Sequence, residues 1–294
     1  TRLGDARTVQ VERSEQIVTP AIREQLVADY RAGKGRLLLL DYDGTLVPFA
    51  AKPQKAVPGE ATREVLQSLI QTPENEVVVI SGRDRHTLEN WFGEMDIGLI
   101  AEHGVWVKER SGEWRMPEAL SDEWKAEIQP LLELYTDRTP GSFIEEKDYS
   151  LVWHYRRTEP VLGAQRAKEL KDDLLYLTSN LDVGVLDGNK VIEIKNNVVN
   201  KGRAALNWIT GRAWDFVLAI GDDRTDEDLF AAMSPEAYSV KVGLAPSRAR
   251  FNLVSQRDVL PLLRRCLESD RDKTAGKKER PGREKGFVKS AAPG

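Results

Sequence analysis

The sequence is poor in features that would cross-link the chain or hold it in a membrane. It contains one cysteine, Cys266, which excludes an internal disulfide and fits a reducing cytoplasmic setting. It lacks both an apolar run of about 18 residues and a charged leader followed by an apolar stretch, so we expect neither a transmembrane helix nor a signal peptide. The net charge of −4 gives no reason to expect nucleic acid or an anionic membrane as a partner.

Length and composition indicate a globular protein with room for two domains. The chain has 294 residues, of which 40% are hydrophobic and 31% are charged, as in soluble globular proteins. Its first residue is Thr1 and not methionine. We therefore expect a fragment or a processed chain, which a further domain can precede.

Four consecutive leucines at positions 37–40 predict a strand that is buried on both faces. Asp41 and Asp43 follow where this strand ends, and Gly44 lets the chain turn there. Ligands of open parallel sheets bind beyond the carboxyl ends of the strands, so both carboxylates are expected in a crevice. Two like charges this close repel unless a cation lies between them, and Mg²⁺ is a hard cation that prefers oxygen ligands. The alternative is an ordinary turn, in which Asp is also common.

Apolar periodicity predicts alternating helices and buried strands, with a different pattern in the middle of the chain. The alternation indicates an α/β fold with a Rossmann-like parallel-sheet core, and the middle indicates an inserted α+β cap domain. Core strands are predicted at residues 37–40, 76–80, 97–101, 215–220 and 237–242, core helices at 20–32, 59–71, 84–92, 201–210, 225–233 and 257–267, and a hairpin at 105–115.

These patterns divide the chain into five parts. The last part is rich in Lys and Arg and has almost no apolar residues to bury, so we expect it to be disordered, with binding of a polyanion as the alternative. The expected parts are a linker at 1–18, core segments at 19–116 and 193–268, a cap domain at 117–192, and the disordered basic tail at 269–294.

Polar residues also begin the segments that follow other core strands. Ser81 follows the second strand, where its hydroxyl and the amides of the next helix can bind an anion. Alternatively, Ser81 and Asp84 form a helix capping box. Lys201 stands at the start of a predicted helix, and near a phosphate it would offset the negative charge. Alternatively, it lies on the solvated face of that helix.

A run of acids at 222–228 follows a later core strand. Asp222 and Asp223 can supply further ligands to the cation expected near Asp41. The remaining acids, at 226–228, have a structural explanation, because Thr225 can cap a helix and negative charge is favoured in its first turn.

Four fragments stand in order along the chain: DYDGT at 41–45, SGR at 81–83, NKG at 200–202 and GDDRTD at 221–226. They resemble the four motifs of the haloacid dehalogenase phosphatase superfamily, and the insertion resembles its type-2 cap. More narrowly, the chain is similar to the trehalose-6-phosphate phosphatases over about residues 20–265, on the segments 40–48, 101–104, 145–147, 150, 154–156 and 191–194.

The resemblance implies an Mg²⁺-dependent phosphatase that releases trehalose from trehalose 6-phosphate through an aspartyl-phosphate. Asp41 would be the nucleophile, and Asp43 the general acid and then the base. Ser81 and Lys201 would neutralise the phosphoryl charge. The implied metal ligands are Asp41, Asp43 through its backbone carbonyl, Asp222 and Asp223.

The resemblance also implies that the cap selects the sugar through hydrogen bonds to its hydroxyls. Otherwise, alternating Glu and Lys on a strand would be assigned to a water-facing surface. Three tryptophans, at 106, 114 and 153, are candidates for stacking on a sugar or for the core, and Glu102-His103-Gly104 can instead shape the hinge into the hairpin. The implied substrate-binding residues are Arg83, Glu145, Lys147, His154, Arg156 and Glu193.

Other functions stay open from the sequence. A phosphatase for another sugar, such as sucrose or mannosylglycerate phosphate, would share the core motifs. A catalytically silent domain would bind sugar phosphate and regulate a synthase, and a receiver-like phosphoacceptor would not need a cap. The expected partner, fused or associated, is a trehalose-6-phosphate synthase domain.

Overall fold

The larger of two β-sheets carries the acidic residues at one edge. The computed structural model describes residues 16–50 and 53–278, with the backbone alone for residue 53 and for 269–278. The strands of this sheet are β1 (Gln16–Ile17), β2 (Arg36–Asp41), β3 (Asn75–Ile80), β4 (Gly98–Ala101), β5 (Trp106–Lys108), β10 (Phe216–Gly221), β11 (Tyr238–Val242) and β12 (Phe251–Leu253). They lie in the order β1-β12-β11-β10-β2-β3-β4-β5, and only the β4–β5 pair is antiparallel. The predicted α/β class with a parallel sheet is confirmed.

Strand β2 lies in the middle of this sheet because both of its faces are apolar. It pairs with β10 on one side and β3 on the other, and all four leucines at 37–40 are fully buried. Side chains alternate along a strand, so Leu38 and Leu40 pack into one hydrophobic cluster. Leu37 and Leu39 pack into a second cluster. Burial on both sides determines where Asp41 leaves the core.

The helices that accompany this sheet begin at capping residues. Helix α1 (Pro20–Ala32) starts after Thr19, whose hydroxyl accepts a hydrogen bond from the amide of Ile22 at 3.3 Å. Helix α3 (Arg85–Phe92) is capped by Asp84. The alternative capping role of Ser81 is therefore wrong, because the helix begins too late for Ser81 to reach its first turn. The other core helices are α2 (Glu60–Ile70), α6 (Lys201–Gly211), α7 (Asp226–Ala231) and α8 (Val259–Lys278).

A smaller antiparallel sheet and two helices form residues 125–196, which we call the cap. The strands are β6 (Phe143–Glu146), β7 (Ser150–His154), β8 (Val183–Gly188) and β9 (Val191–Asn196), and the helices are α4 (Lys125–Asp137) and α5 (Pro160–Leu177). The strand order is β6-β7-β9-β8, and a separate hydrophobic core that includes Trp153 and Leu170 joins sheet and helices. The predicted boundary at residue 192 is wrong, because β9 is one continuous strand of this sheet.

Short strands differ from the sequence-based prediction. Strands β1 and β12 are not predicted, because two or three residues carry no readable alternation. Strand β1 lies inside the predicted linker, of which residues 1–15 are outside the described chain. The predicted hairpin at 105–115 is reduced to β5, which pairs with β4, and a single bridge between Val107 and Arg115.

The last helix extends beyond its predicted end. The predicted disordered tail begins at residue 269, but α8 continues to Lys278. A lack of apolar residues argues against a packed core, yet it does not stop a helix from propagating once it has begun. Residues 279–294, the rest of that prediction, lie outside the described chain. Among the described helices, none has both the length and the apolar content needed to span a bilayer.

Candidate active site

Asp41 and Lys201 form a buried ion pair at the carboxyl end of β2. Lys201 Nζ lies 2.6 Å from Asp41 Oδ1 and 2.8 Å from Asp226 Oδ1, and Lys201 is only 1% exposed. The side chain of Asn200 accepts from the amide of Arg203 and caps α6, so the helix starts at Lys201. Burial opposes the charged ammonium, but Asp226 and Asp41 hold the pKa of Lys201 well above its usual range. Lys201 therefore stays a cation beside Asp41.

Asp222 and Asp226 complete a cluster of three carboxylates with Asp41. One oxygen of each lies within 4.8 Å of the other two. Asp226 Oδ2 accepts hydrogen bonds from the amides of Asp222 and Asp223, each at 3.0 Å. These two bonds bend the loop after β10 around the Asp226 carboxylate and so determine where Asp222 lies.

The cluster holds three carboxyl groups, and Lys201 contacts two of them. Burial raises the pKa of Asp41 to about 8 and the pKa of Asp222 to about 8, and the neighbouring carboxylates act in the same direction. Within the described chain, Asp41 Oδ2 and Asp222 Oδ1 are buried without a hydrogen-bond partner. Unpaired carboxylate oxygens this close fit a hard cation with oxygen ligands, such as Mg²⁺.

Asp43 lies outside the three-carboxylate cluster, because Arg83 holds its side chain. The Arg83 guanidinium contacts both carboxylate oxygens, with Nε 2.8 Å from Oδ2 and Nη2 2.6 Å from Oδ1. The amide of Arg83 donates to Ser81 Oγ at 3.1 Å. The loop after β3 thus orders Ser81, Arg83 and, through Arg83, Asp43.

Asp223 also lies outside the cluster. Its Oδ1 accepts from the amide of Thr225 at 2.8 Å and from the Thr225 hydroxyl at 2.6 Å. Burial works against the charged form, but Lys201 and these hydrogen bonds hold the pKa of Asp223 below its usual range. Its side chain is therefore held by hydrogen bonds within the loop that leads into α7.

A cavity of about 370 Å³ lies between the carboxylate cluster and the cap, a size suited to a small ligand. Ser81 is 1% exposed and is not among the described residues that line it, whereas the adjacent Gly82 is. The cavity brings together the predicted site residues of the core and of the cap. Those from the core are Asp41, Asp43, Arg83, Lys201, Asp222 and Asp223, and those from the cap are Glu145, Lys147, His154, Arg156 and Glu193.

The cap side chains in this cavity form polar pairs. His154 Nε2 lies 2.6 Å from Glu145 Oε2, and Lys147 Nζ lies 3.5 Å from Glu193 Oε1. Burial alone would raise the pKa of Glu193, but Lys147 and His103 hold it well below its usual range. These charged donors and acceptors can exchange their mutual contacts for hydroxyl groups of a ligand.

His103 connects the core to the cap, a role that the sequence does not predict. Its Nε2 lies 3.0 Å from Glu193 Oε2, and it lines the cavity. Its backbone has φ = 56°, in the left-handed region, and its amide donates to Ser81 O at 3.0 Å. Its only signal in the sequence is its place in the Glu102-His103-Gly104 segment.

Comparison with known proteins identifies the family. The family model described as trehalose-phosphatase matches residues 39–257. This chain belongs to the trehalose-phosphatase family.

Family relatives are longer than this chain. The bifunctional trehalose-6-phosphate synthase/phosphatase of Thermoproteus tenax is 37% identical over 254 residues, which are 86% of this chain and 35% of that protein. The trehalose-phosphatase of Saccharomyces cerevisiae is 41% identical over 244 residues, 75% of this chain and 27% of that protein. The chain therefore spans about a third of the length of these curated relatives.

Solved structures match the same family and fold. The C-terminal domain of the C. albicans trehalose-6-phosphate phosphatase is 32% identical, with a TM-score of 0.80 and coverage of 84% of this chain and 96% of that chain. A haloacid dehalogenase-like hydrolase from B. subtilis is 15% identical, with a TM-score of 0.57 and coverage of 78% and 98%, and it shares the fold.

The candidate active site of this family member differs from the sequence-based prediction mainly at Asp226. The sequence assigns Asp226 only to the start of a helix, but the structure buries it completely between Lys201 and the loop amides. The tryptophans are not among the described residues that line the cavity. Trp153 lies in the cap core, and Trp106 and Trp114 pack against the larger core, so their predicted alternative as core residues is correct.

Proposed function

We propose that this trehalose-phosphatase family member hydrolyses trehalose 6-phosphate to trehalose and phosphate. One observation carries the proposal: the Asp41 carboxylate, paired with Lys201 and grouped with Asp222 and Asp226, lies at the core wall of a cavity whose opposite wall is the cap. A carboxylate nucleophile next to a fixed cation is the arrangement that attack on an anionic phosphoester requires.

In the proposed mechanism, Asp41 attacks phosphorus in line with the departing sugar oxygen. An aspartyl-phosphate bond forms as the bond between phosphorus and the sugar oxygen breaks. Asp43 gives its proton to the sugar oxygen and then takes a proton from the water that hydrolyses the aspartyl-phosphate. Arg83 orients Asp43 through its two-point contact, and Lys201 offsets the phosphoryl charge. Ser81, also predicted in that role, would contribute only if its hydroxyl, which accepts from the Arg83 amide, turned toward the cavity.

The proposed cofactor is Mg²⁺. Asp41, the backbone carbonyl of Asp43 and Asp222 would hold the ion, with Asp226 contributing to the same acidic cluster. Asp223, also a predicted ligand, would contribute only if its contact with Thr225 opened. When bound, the ion supplies Lewis-acid stabilisation of the phosphoryl oxygens.

The proposed sugar site is the cap wall of the cavity. Glu145, Lys147 and Glu193, with His154 and Arg156, offer charged donors and acceptors to an uncharged disaccharide that can be recognised only through its hydroxyls. A site built from such groups rejects a sugar that leaves them unpaired. We therefore expect trehalose 6-phosphate to be hydrolysed faster than other sugar phosphates.

Phosphate release from trehalose 6-phosphate, with and without a chelator, tests the proposal. We expect release that the chelator abolishes and that Mg²⁺ restores. Asp41→Asn should be inactive while its circular dichroism spectrum stays unchanged, and full activity in that variant would remove the proposed nucleophile. Equal rates on a panel of phosphorylated sugars would contradict the role of the cap.

The alternative function as a regulatory domain and the identity of the partner are separate proposals. Calorimetric binding of trehalose 6-phosphate without phosphate release would favour a silent regulatory domain. Because the curated relatives are longer and one of them is named as a bifunctional synthase/phosphatase, we propose a synthase domain as the partner, fused or associated. The reducing cytoplasmic setting, inferred from one cysteine, stays a prediction.

A further inference from the structure

Three consecutive residues of the β6–β7 turn each contact a different part of the core. Lys147 Nζ donates to the backbone carbonyl of Gly82 at 2.9 Å. Asp148 Oδ2 accepts from the indole Nε1 of Trp106 at 2.9 Å. The amide of Tyr149 donates to Glu102 Oε2 at 3.4 Å. The turn that carries Lys147 into the cavity is therefore also one of the places where the cap contacts the core.

Asp148 accepts a hydrogen bond from one core residue, Trp106, and lies within ion-pair distance of another, Arg85. Arg85 Nε lies 3.4 Å from the same oxygen, Asp148 Oδ2, that accepts from Trp106. The Arg85 guanidinium carbon lies 3.9 Å from the centroid of the Trp106 ring, a cation–π contact that keeps the two side chains together. Because the hydrogen-bond donor Trp106 and the ion-pair partner Arg85 both belong to the core, Asp148 is a specific attachment point for the cap.

Inside the cap, Lys125 makes the same turn rigid. Its Nζ donates to the backbone carbonyls of Lys147 and Asp148 and lies 3.1 Å from Glu146 Oε1. Its side chain is 9% exposed. The turn therefore moves as one unit with α4, and the position of Asp148 on the core determines the position of the Lys147 side chain.

We propose that Asp148 together with Arg85, Glu102 and Trp106, which we call the latch, positions the sugar-binding wall of the cavity. Among the described residues, no latch member lines the cavity, so these residues act through Lys147, which shares the turn with Asp148, and do not touch the sugar. The proposal rests on the proposed function, since it assigns the latch to recognition of the sugar end of the same substrate.

The test compares a sugar phosphate with a small phosphoester that does not reach the cap. In the full chain, Asp148→Ala should raise the KM for trehalose 6-phosphate about tenfold with a smaller change in kcat. Hydrolysis of p-nitrophenyl phosphate should stay near the wild-type rate, because its aryl group needs no cap contact. Asp148→Asn, which keeps an acceptor for Trp106, should restore most of the affinity.

The matched control is another ion pair of the cap. Arg166 and Glu169 on α5 are 2.6 Å apart with side chains 31% and 38% exposed, against 30% and 38% for Arg85 and Asp148. Glu169→Gln should leave the KM for both substrates unchanged. An unchanged KM in Asp148→Ala, or an equal loss on both substrates, would overturn the latch.

Hydrogen exchange separates failure of the latch from failure of the proposed function. If the wild-type chain releases no phosphate from trehalose 6-phosphate, the proposed function is wrong, and exchange at residues 147–149 still tests the latch. Faster exchange there in Asp148→Ala than in Glu169→Gln supports the latch. Equal exchange in the two variants overturns it.

Discussion

The carboxylate cluster depends on a glycine as much as on its acids. Gly44 has φ = 84°, in the region that favours glycine, and its amide donates to Val47 O at 2.8 Å. A β-carbon at this position would lie 2.2 Å from Asp222 Oδ2. Asp222 reaches the site only because residue 44 has no side chain.

Gly44→Ala should displace Asp222 and strain the turn. We expect a loss of activity of about 100-fold and a loss of about 1–3 kcal/mol in the free energy of unfolding. Gly59→Ala is the matched control, because a β-carbon there would meet nothing within 4 Å. Phosphate release and thermal unfolding measure both effects, and wild-type activity in Gly44→Ala would contradict this account of the turn.

Both carboxylate oxygens of Asp226 accept hydrogen bonds, so a neutral residue cannot replace it without losing some of them. One oxygen binds the Lys201 ammonium, and the other accepts two backbone amides. In an asparagine, the NH₂ group would face either the Lys201 ammonium or the two backbone amides. In both cases two buried hydrogen-bond donors would face each other without an acceptor.

Asp226→Asn should therefore lower activity by about 100-fold and destabilise the chain by about 1–3 kcal/mol. Asp228, in the same helical turn but exposed, supplies the control Asp228→Asn, for which we expect near wild-type values. Chemical denaturation and phosphate release are the measurements. A similar loss in both variants would mean that the helix start matters and the buried position does not.

At the scale of single elements, the segment from Glu102 to Gly104 connects the core to the cap and has a strained backbone. Its three residues have φ values of 48°, 56° and 122°, which are costly for the two that are not glycine. Glu102 is 2% exposed, and one of its oxygens, Oε1, is buried without a partner in the described chain. Burial raises the pKa of Glu102 to about 7, while Lys147 acts against this shift.

Glu102→Gln should change how stability depends on pH. Because the pKa of Glu102 is raised in the folded chain, its stabilising contribution is complete below the unfolded value near 4.5 and is lost as pH rises through about 7. The glutamine variant does not ionise, so its stability relative to wild type should rise by on the order of 1–3 kcal/mol between pH 5 and pH 8.5. A difference that does not change with pH, measured by urea denaturation, would refute this ionisation.

At the scale of the whole molecule, the proposed phosphate site and the proposed sugar site lie on separate hydrophobic cores. The larger sheet packs its own clusters beneath the carboxylates, and the cap packs another around Trp153 and Leu170. A substitution that destabilises one core should therefore impair recognition of one end of the substrate more than recognition of the other end.

A pair of buried leucines tests this division. Leu170 in the cap and Leu218 in β10 are both fully buried, and each Leu→Ala change should cost about 2–5 kcal/mol. Leu170→Ala should reduce hydrolysis of trehalose 6-phosphate while p-nitrophenyl phosphate hydrolysis persists. Leu218→Ala should reduce both activities, and identical profiles for the two variants would show that the cores are not independent.

Local patterns in the sequence were enough to place the edge of the sheet and two of its acidic residues. The apolar run at 37–40 is short for a helix and favours a buried strand, and parallel strands deliver their carboxyl ends to one edge, so Asp41 and Asp222 could be brought together. Lys201 could be placed beside them only through the resemblance of its segment to a known motif. Turn and capping residues likewise placed most helices within a few residues.

The pairing of polar groups follows from the packing of the elements within the core and of the core against the cap. The sequence could not give the bond from Asp226 to Lys201, the clamp of Arg83 on Asp43, or the contact of Asp148 with Trp106, which joins residues 42 positions apart. Helical and strand periodicity reports which face of an element is apolar. The partner of a buried charge depends instead on distances between elements, which arise only when the two layers pack.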